Sequence, residues 1–431
     1  MPERRSHLHR LVRACVVAAL SGLCALPLSA QDARTSSSGA GLGGPKEMSR
    51  ELEVDNSPRE RAYRLPIRLT EGWYAWKAGV TERTGIQFNV NYNAAYTTAS
   101  AAIEDGDPTW AASGFLEMSA GWTLLGSESG NTGTLFVKLG DRHSIGSDRV
   151  PMFLGLATGY YGLPATGFGE YTFRTVELHW TQSLMDQRLQ FAVGKLDPTN
   201  YFNFHGLIVP WRHFMGYGSS VSGTVNWPDP GWGAVFSIRP TEQLYIMAGL
   251  HDPKGDELQD GSFFDAGEVI WDGDLFKAVE VGWVPTFAER YFKKISLMYW
   301  QADAYETDAG TTSAAGEGWA ASAHWFFNET WAPYLRYAWS DGMGFNAFYD
   351  RQLQVGVGRL ARNYDMLGLS ASWSAVNIPD ADDQYTLEAF YRFVRSLHFE
   401  ITPNLQFVGQ PTLNVNEDWM TYFSIRTRMT F

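Results

Sequence analysis

The chain has 431 residues and is acidic, with 47 Asp and Glu against 34 Lys and Arg and a formal net charge of −13; that balance excludes nucleic acid and other polyanions as ligands. Aromatic residues make up 15% and glycine numbers 43, yet beyond residue 30 no apolar run reaches the roughly 18 residues a spanning helix needs, so any membrane crossing must be made by strands. Both cysteines, Cys15 and Cys24, fall in the first thirty residues, so the remaining chain has no disulfide and must be held by hydrogen bonds or a large core.

Residues 1–30 read as a secretory signal peptide. Arg4, Arg5, Arg10 and Arg13 form a basic start, Ala14 to Leu28 an apolar run too short to span, and Leu28-Ser29-Ala30 a cleavage site. Neither cysteine sits in a lipobox, since Leu23 precedes Cys24 and Arg13 stands near Cys15. Residues 31–84 are expected to be a polar lead segment: 31–62 disordered by composition, and 63–84 a periplasmic tether, with a short helix or plug as the alternative.

From Gly85 the pattern predicts sixteen strands, at 85–98, 112–125, 133–142, 171–183, 188–197, 232–239, 243–251, 276–285, 291–301, 317–327, 331–340, 350–361, 366–376, 384–394, 397–408 and 419–431. Short connections (184–187, 240–242, 286–290, 328–330, 361–365, 395–396) alternate with long ones (143–170, 198–231, 252–275, 302–316, 341–349, 377–383, 409–418). Strict alternation over an even strand count predicts an all-β fold: a 16-stranded antiparallel transmembrane β-barrel with short periplasmic turns and long extracellular loops. Segment 219–227 is strand-like, but counting it would break the alternation, so it is placed in the loop 198–231.

The pleat agrees with a barrel. In the last strand Trp419, Phe423, Ile425, Met429 and Phe431 share one face, and Met420, Tyr422, Ser424, Arg426, Arg428 and Thr430 the other. Leu367, Leu369, Ala371 and Trp373 alternate with Gly368, Ser370, Ser372 and Ser374 in the same way. So regular a polar face is costly in a filled core, and a water-filled bore removes that cost. Pro333 and Pro403 interrupt strand patterns and are expected at a bulge or strand end.

The predicted inner face carries Lys138, Arg142, Glu177, Glu280, Lys294, Arg336, Glu388, Arg392, Glu400, Arg426 and Arg428. Charges of both signs offer donors and acceptors to neutral polyols, whereas a phosphate pore would be lined mainly by Arg and Lys. The pore-constriction candidates are Lys138, Arg142, Glu177, His179, Arg392, Glu400 and Arg426, with Trp211 and Phe214 from the loop 198–231 to stack on sugar rings. That loop exceeds the length of a mere connector; it either folds into the bore or packs outside on its own aromatics. Asp252 to Glu257, with Asp260, is acidic enough for a loop calcium ion but lacks EF-hand spacing. No paired-histidine metal site and no nucleophile elbow is present, so neither cofactor nor enzymatic activity is expected.

Three stretches resemble the carbohydrate-selective porins of the OprB family: GKLDPTNYF at 194–202, PDPGWGAVFSIRP at 228–240, and a C-terminal pattern of Glu388, Phe390-Tyr391-Arg392, Ile401-Thr402-Pro403, Leu405-Gln406, Pro411, Asn414, Arg426 and Phe431. The likeness spans about residues 85–431. It implies a sixteen-stranded barrel of the Gram-negative outer membrane that passes glucose and related sugars by diffusion through a charged constriction. Its implied partners are mono- and oligosaccharides, outer-membrane lipid and the barrel assembly machinery; a homotrimer stays open. The acidic stretch 46–64 departs from the pattern, and the loops diverge most, which leaves the sugar undefined. The alternatives are a general diffusion porin with no sugar site and a soluble secreted carbohydrate-binding protein.

Overall fold

A computed structural model describes residues 41–56, 71–126, 131–255, 273–306, 310–341, 344, 346–361, 364–396 and 398–431. The expected signal peptide, the start of the lead segment and the acidic residues 256–260 lie outside them. Sixteen strands close into one antiparallel barrel: β1 Ile86–Ala99, β2 Trp110–Leu125, β3 Gly133–Ser144, β4 Tyr171–Leu184, β5 Leu189–Leu196, β6 Gly231–Ile238, β7 Leu244–His251, β8 Phe276–Trp283, β9 Lys293–Ala302, β10 Gly316–Trp325, β11 Trp331–Ser340, β12 Tyr349–Leu360, β13 Met366–Val376, β14 Gln384–Val394, β15 Phe399–Gly409 and β16 Trp419–Thr430. Each pairs with its chain neighbours, and β1 pairs with β16 from Asn91↔Thr430 to Ala99↔Tyr422, so the barrel has no open edge. Every predicted strand is present, with ends displaced by two residues at most.

At one end of the barrel the connections are 126–132, 185–188, 239–243, 284–292, 326–330, 361–365 and 395–398; at the other they are 100–109, 145–170, 197–230, 252–275, 303–315, 341–348, 377–383 and 410–418. The alternation is not strict, because 284–292 outruns 377–383; it carries a single 3-10 turn, Phe287–Glu289, that sends Arg290 into the bore. Residues 219–227 form no strand and lie in the connection from β5 to β6, as expected.

Neither proline makes a bulge. Pro333 pairs with Val357 in an unbroken register, while on the other edge the β10 ladder stops at His324↔Tyr334. Pro403 pairs with Ile425, and on the β14 edge the ladder passes from Phe390↔Asn404 to Phe393↔Ile401 without a change of register. In each case the edge that would need the missing N–H lacks a ladder pair there, which is how a strand tolerates proline.

The outer surface is apolar and the inner one polar. Val279, Val281, Ile295, Leu297, Leu369 and Ile425 are exposed at mid-strand, with Trp122, Trp283, Trp331 and Phe431 towards the short-turn end and Tyr96, Trp110, Trp319 and Trp339 towards the long-loop end. This is the aliphatic band and double aromatic girdle of a barrel in lipid. Ser372, Glu400 and Arg426 face inwards, at 3%, 5% and 1% exposure. Among the described residues no helix is long and apolar enough to cross a membrane.

Helix α1, Met48–Asn56, and the residues before it from 41 run inside the barrel, where disorder was expected. Glu47 starts the helix by accepting the Ser49 N–H at 3.1 Å. Its i, i+4 pair Met48 and Leu52 packs on Phe136, and the neighbouring i, i+4 pair Glu51 and Asp55 turns to the wall. Helix α2, Glu71–Thr84, where a tether was favoured, covers the β1–β16 seam at the short-turn rim. Trp76 meets Phe88 edge-on at 5.6 Å, and Lys77 donates to the carbonyl of Phe431 at 3.1 Å.

Candidate functional site

Three pieces of chain occupy the bore that the alternating polar pattern suggested would hold water: the connection 197–230, the segment 41–56, and residues 154–168, where Tyr160 and Phe168 are buried and the Pro164 carbonyl accepts from Gln406 of β15. The first enters through the GKLDPTNYF stretch. Asp197 accepts the Thr199 N–H at 2.8 Å, and Pro198 opens a tight 3-10 turn, Pro198–Asn200, that bends the chain inwards at the end of β5. Phe204, His205, Leu207, Ile208, Phe214 and Met215 are then buried.

The inward charges of the wall hold this loop. Glu280 accepts the Asn203 N–H at 2.7 Å. Arg336 donates to the carbonyls of Ser220 at 3.1 Å and Asn203 at 2.6 Å. Glu388 accepts the Met215 N–H at 2.8 Å, and Arg426 donates to the carbonyls of Pro210 at 2.5 Å and of His213. A buried loop needs partners for its peptide groups, and here the wall supplies them. Apolar contacts complete the fit. Phe214 lies against Phe390 at 5.0 Å and Tyr334 at 5.8 Å. Each of those rings covers a cross-strand glycine, Gly368 and Gly356, where a Cβ would collide with it.

The nine candidate residues fall into groups around the bore. Lys138, Glu177 and His179 come together: Lys138 Nζ is 2.8 Å from Glu177, and His179 Nδ1 is 3.9 Å from it. Asn200 donates to both oxygens of Glu177 at 3.3 Å, and the Tyr201 hydroxyl lies 3.4 Å from His179 Nε2, so the motif 194–202 reaches the same place. Arg392, Glu400 and Arg426 form a second group around the loop's Arg212 and His213. Arg392 lies 3.4 Å from His213 Nε2, and Glu400 lies 3.6 Å from Arg212. Burial, with Arg392, Arg212 and Arg426 alongside, holds the His213 imidazole well below its usual range and therefore neutral. Arg142 stands apart, 4.8 Å over Tyr171 and 5.3 Å over Phe115, and Trp211 packs on Phe115 at 5.8 Å. Phe214 belongs with Tyr334 and Phe390, away from Trp211.

Sequence reasoning missed two sets of residues. One is Arg174, which joins Arg142 over Tyr171 at 4.1 Å. Strict alternation from Glu177 turns Phe173 inwards. A register shift in the β3–β4 ladder, between Lys138↔Glu177 and Leu139↔Thr175, exchanges the faces, leaving Phe173 54% exposed and Arg174 paired with Gly140. An exposed-side demand for so large an apolar residue was the available signal. The other set is Glu51 and Asp55 of α1 with Asn89, Asn91 and Arg212. Asp55 accepts from Arg428 at 2.7 Å, Asn89 at 2.8 Å and Asn91 at 3.4 Å, and lies 3.5 Å from Arg212; Glu51 lies 3.5 Å from Lys138. Spacing at 48, 51, 52 and 55 was the signal there. Among the described residues no group of His, Cys, Asp and Glu is placed to hold a metal ion.

The architecture is shared with solved structures. The high-pH structure of Pseudomonas putida OprB superposes with a TM-score of 0.64 at 15% identity, covering 83% of this chain and 97% of that one. The low-pH structure of the same protein gives a TM-score of 0.51 at 15% identity, over 84% and 98%. The fold is thus that of the family its motifs resemble. No family model and no curated protein sequence matches the chain.

Proposed function

We propose that this protein is an outer-membrane porin that passes mono- and oligosaccharides by facilitated diffusion. The observation that carries the reading is the inward-folded connection 197–230, which narrows a bore whose wall carries charged and aromatic side chains. A solute threading such a bore exchanges its water shell for side-chain donors and acceptors, and weak binding lets it leave as readily as it enters. Arg142 and Arg174 keep part of their surface accessible beside Tyr171 and Phe115, with Trp211 packed on Phe115, an arrangement suited to hydroxyl groups and the C–H face of a sugar. The apolar exterior and its aromatic girdles fit outer-membrane lipid.

Planar-bilayer recording tests it. Glucose or maltose at millimolar concentration reduces the current through a sugar-selective channel. A current indifferent to both marks a general diffusion porin, and a chain that stays soluble without detergent marks neither.

A further inference from the structure

The Asp55 carboxylate is held as a ligand is held. Its Oδ2 accepts from Asn89 and Asn91 of β1 and from Arg428 of β16, and its Oδ1 lies 3.5 Å from Arg212 of the inner loop. Every one of these donors comes from the barrel wall or the loop, and none from α1, which carries Asp55. Two guanidinium groups and two side-chain amides converging on one planar group are the means by which proteins recognise a carboxylate.

The segment that delivers this carboxylate has few apolar anchors. Met48 and Leu52 pack on Phe136, and Leu42 joins the cluster of Leu196, Tyr201 and Phe202. Many of its other ties are polar: Gly44 N–H to the Asn200 carbonyl at 2.6 Å, Lys46 to Thr199 at 2.6 Å, and Arg290 to the carbonyls of Gly41 and Gly43 at 2.5 and 3.4 Å. Water and ions can replace contacts of that kind, whereas the loop 197–230 contributes side chains to several apolar clusters.

We propose that Asn89, Asn91, Arg212 and Arg428 form a carboxylate-binding site in the bore, filled in this structure by the chain's own Asp55, and that when residues 41–56 withdraw the same site takes the carboxylate of a sugar acid. The inference rests on the porin reading and adds a solute class to it. Local charge selects an anion. Around the site Arg212 and Arg428 face Asp55 and Glu400, and Lys77, which donates to Asn89 at 3.3 Å, adds a third positive charge. Withdrawal of Asp55 leaves positive charge in excess, which a carboxylate offsets while its two oxygens take the amide and guanidinium donors. Neutral glucose would leave that charge unbalanced.

The test uses the full-length protein in planar bilayers, with glucuronate and glucose as blockers. Asp55→Asn keeps the shape of the plug and removes its charge. The expected result is that glucuronate half-blocks the Asp55→Asn channel at a concentration at least tenfold below that for the unaltered protein, and at least tenfold below that for glucose. Adding Arg428→Gln to Asp55→Asn abolishes the preference. Should Asp55→Asn fail to show the heat-modifiable migration of a folded barrel, a variant lacking 41–56 must show the same tenfold gain. Equal half-blocking concentrations for the variant and the unaltered protein overturn the proposal. Block by glucose with no preference for glucuronate also overturns it while leaving the sugar reading intact; block by glucuronate with none by glucose supports the carboxylate site and removes the neutral-sugar reading.

Discussion

Lys294 and Glu280 form a fully buried ion pair at 3.0 Å, with the ammonium 3.5 Å from the centre of the Phe204 ring. Glu280 also accepts from Asn203 N–H at 2.7 Å and from the Tyr245 hydroxyl at 2.5 Å, so the pair ties β8 and β9 to the entering loop. Removing one partner leaves the other charge buried, at a cost of about 3–5 kcal/mol. Lys294→Met is therefore expected to lower the urea midpoint of the refolded protein and to raise open-channel noise as residues 203–204 loosen. An unchanged midpoint would mean that water already reaches Glu280. At this scale the sequence showed that both charges face inwards, by parity. It did not show that they bind peptide groups of another segment, since no spacing rule links position 280 to position 203.

Helix α1 is the element on which pH acts. Burial raises the Glu51 carboxyl to about 7 from an ordinary 4.5; Lys138 of β3 opposes the shift, Glu117 of β2 and Asp55 add to it, and Arg428 of β16 opposes it. Because the seated state has the higher pKa, it binds more protons than the withdrawn state between about pH 4.5 and 7. The plug is held most firmly below that window and loosens as pH rises through it, by up to about tenfold per pH unit. Burial raises the Glu47 carboxyl of the same segment too. Bilayer conductance of the unaltered protein should rise from pH 5 to pH 7, Glu51→Gln should reduce that rise, and Glu47→Gln added to it should reduce it further. A conductance that falls over the same range would contradict a plug seated by protonated Glu51. The lead segment read as disordered because its composition is polar and poor in apolar residues. Its helix is stabilised by contacts with the wall, with Met48 and Leu52 finding Phe136 and Asp55 finding Arg428, and these exist only after the barrel closes.

For the molecule as a whole, solvent decides what counts as inside. Leu297 is exposed on the outer face at mid-β9, and its neighbour Ser296 is buried and bonded to Ser322 at 3.1 Å. In lipid vesicles Leu297→Arg should cost about 2–4 kcal/mol, as an arginine near the bilayer midplane does. Ser296→Ala should cost about 0.5–1.5 kcal/mol, the worth of one hydrogen bond. Urea titration of vesicle-reconstituted protein measures both. Equal stability of Leu297→Arg and the unaltered protein would place that face in water and end the membrane reading.

The sequence by itself determined the barrel. Alternation has a period of two residues and connection lengths are written along the chain, so the sixteen strands, their faces and the direction of each could be read locally. The candidate residues were legible as inward-facing groups for the same reason. Only the tertiary structure decided what the inner face touches. A β-bulge of one residue turned Arg174 inwards, Asp197 and Pro198 bent the chain 197–230 across the bore, and Asp55 came to rest between Arg428 and Arg212. A local pattern marks the bulge, the turn and the helix, but not what each meets: those partners lie far apart in sequence and are set by closure of the barrel and by the need to pair buried charges and peptide groups.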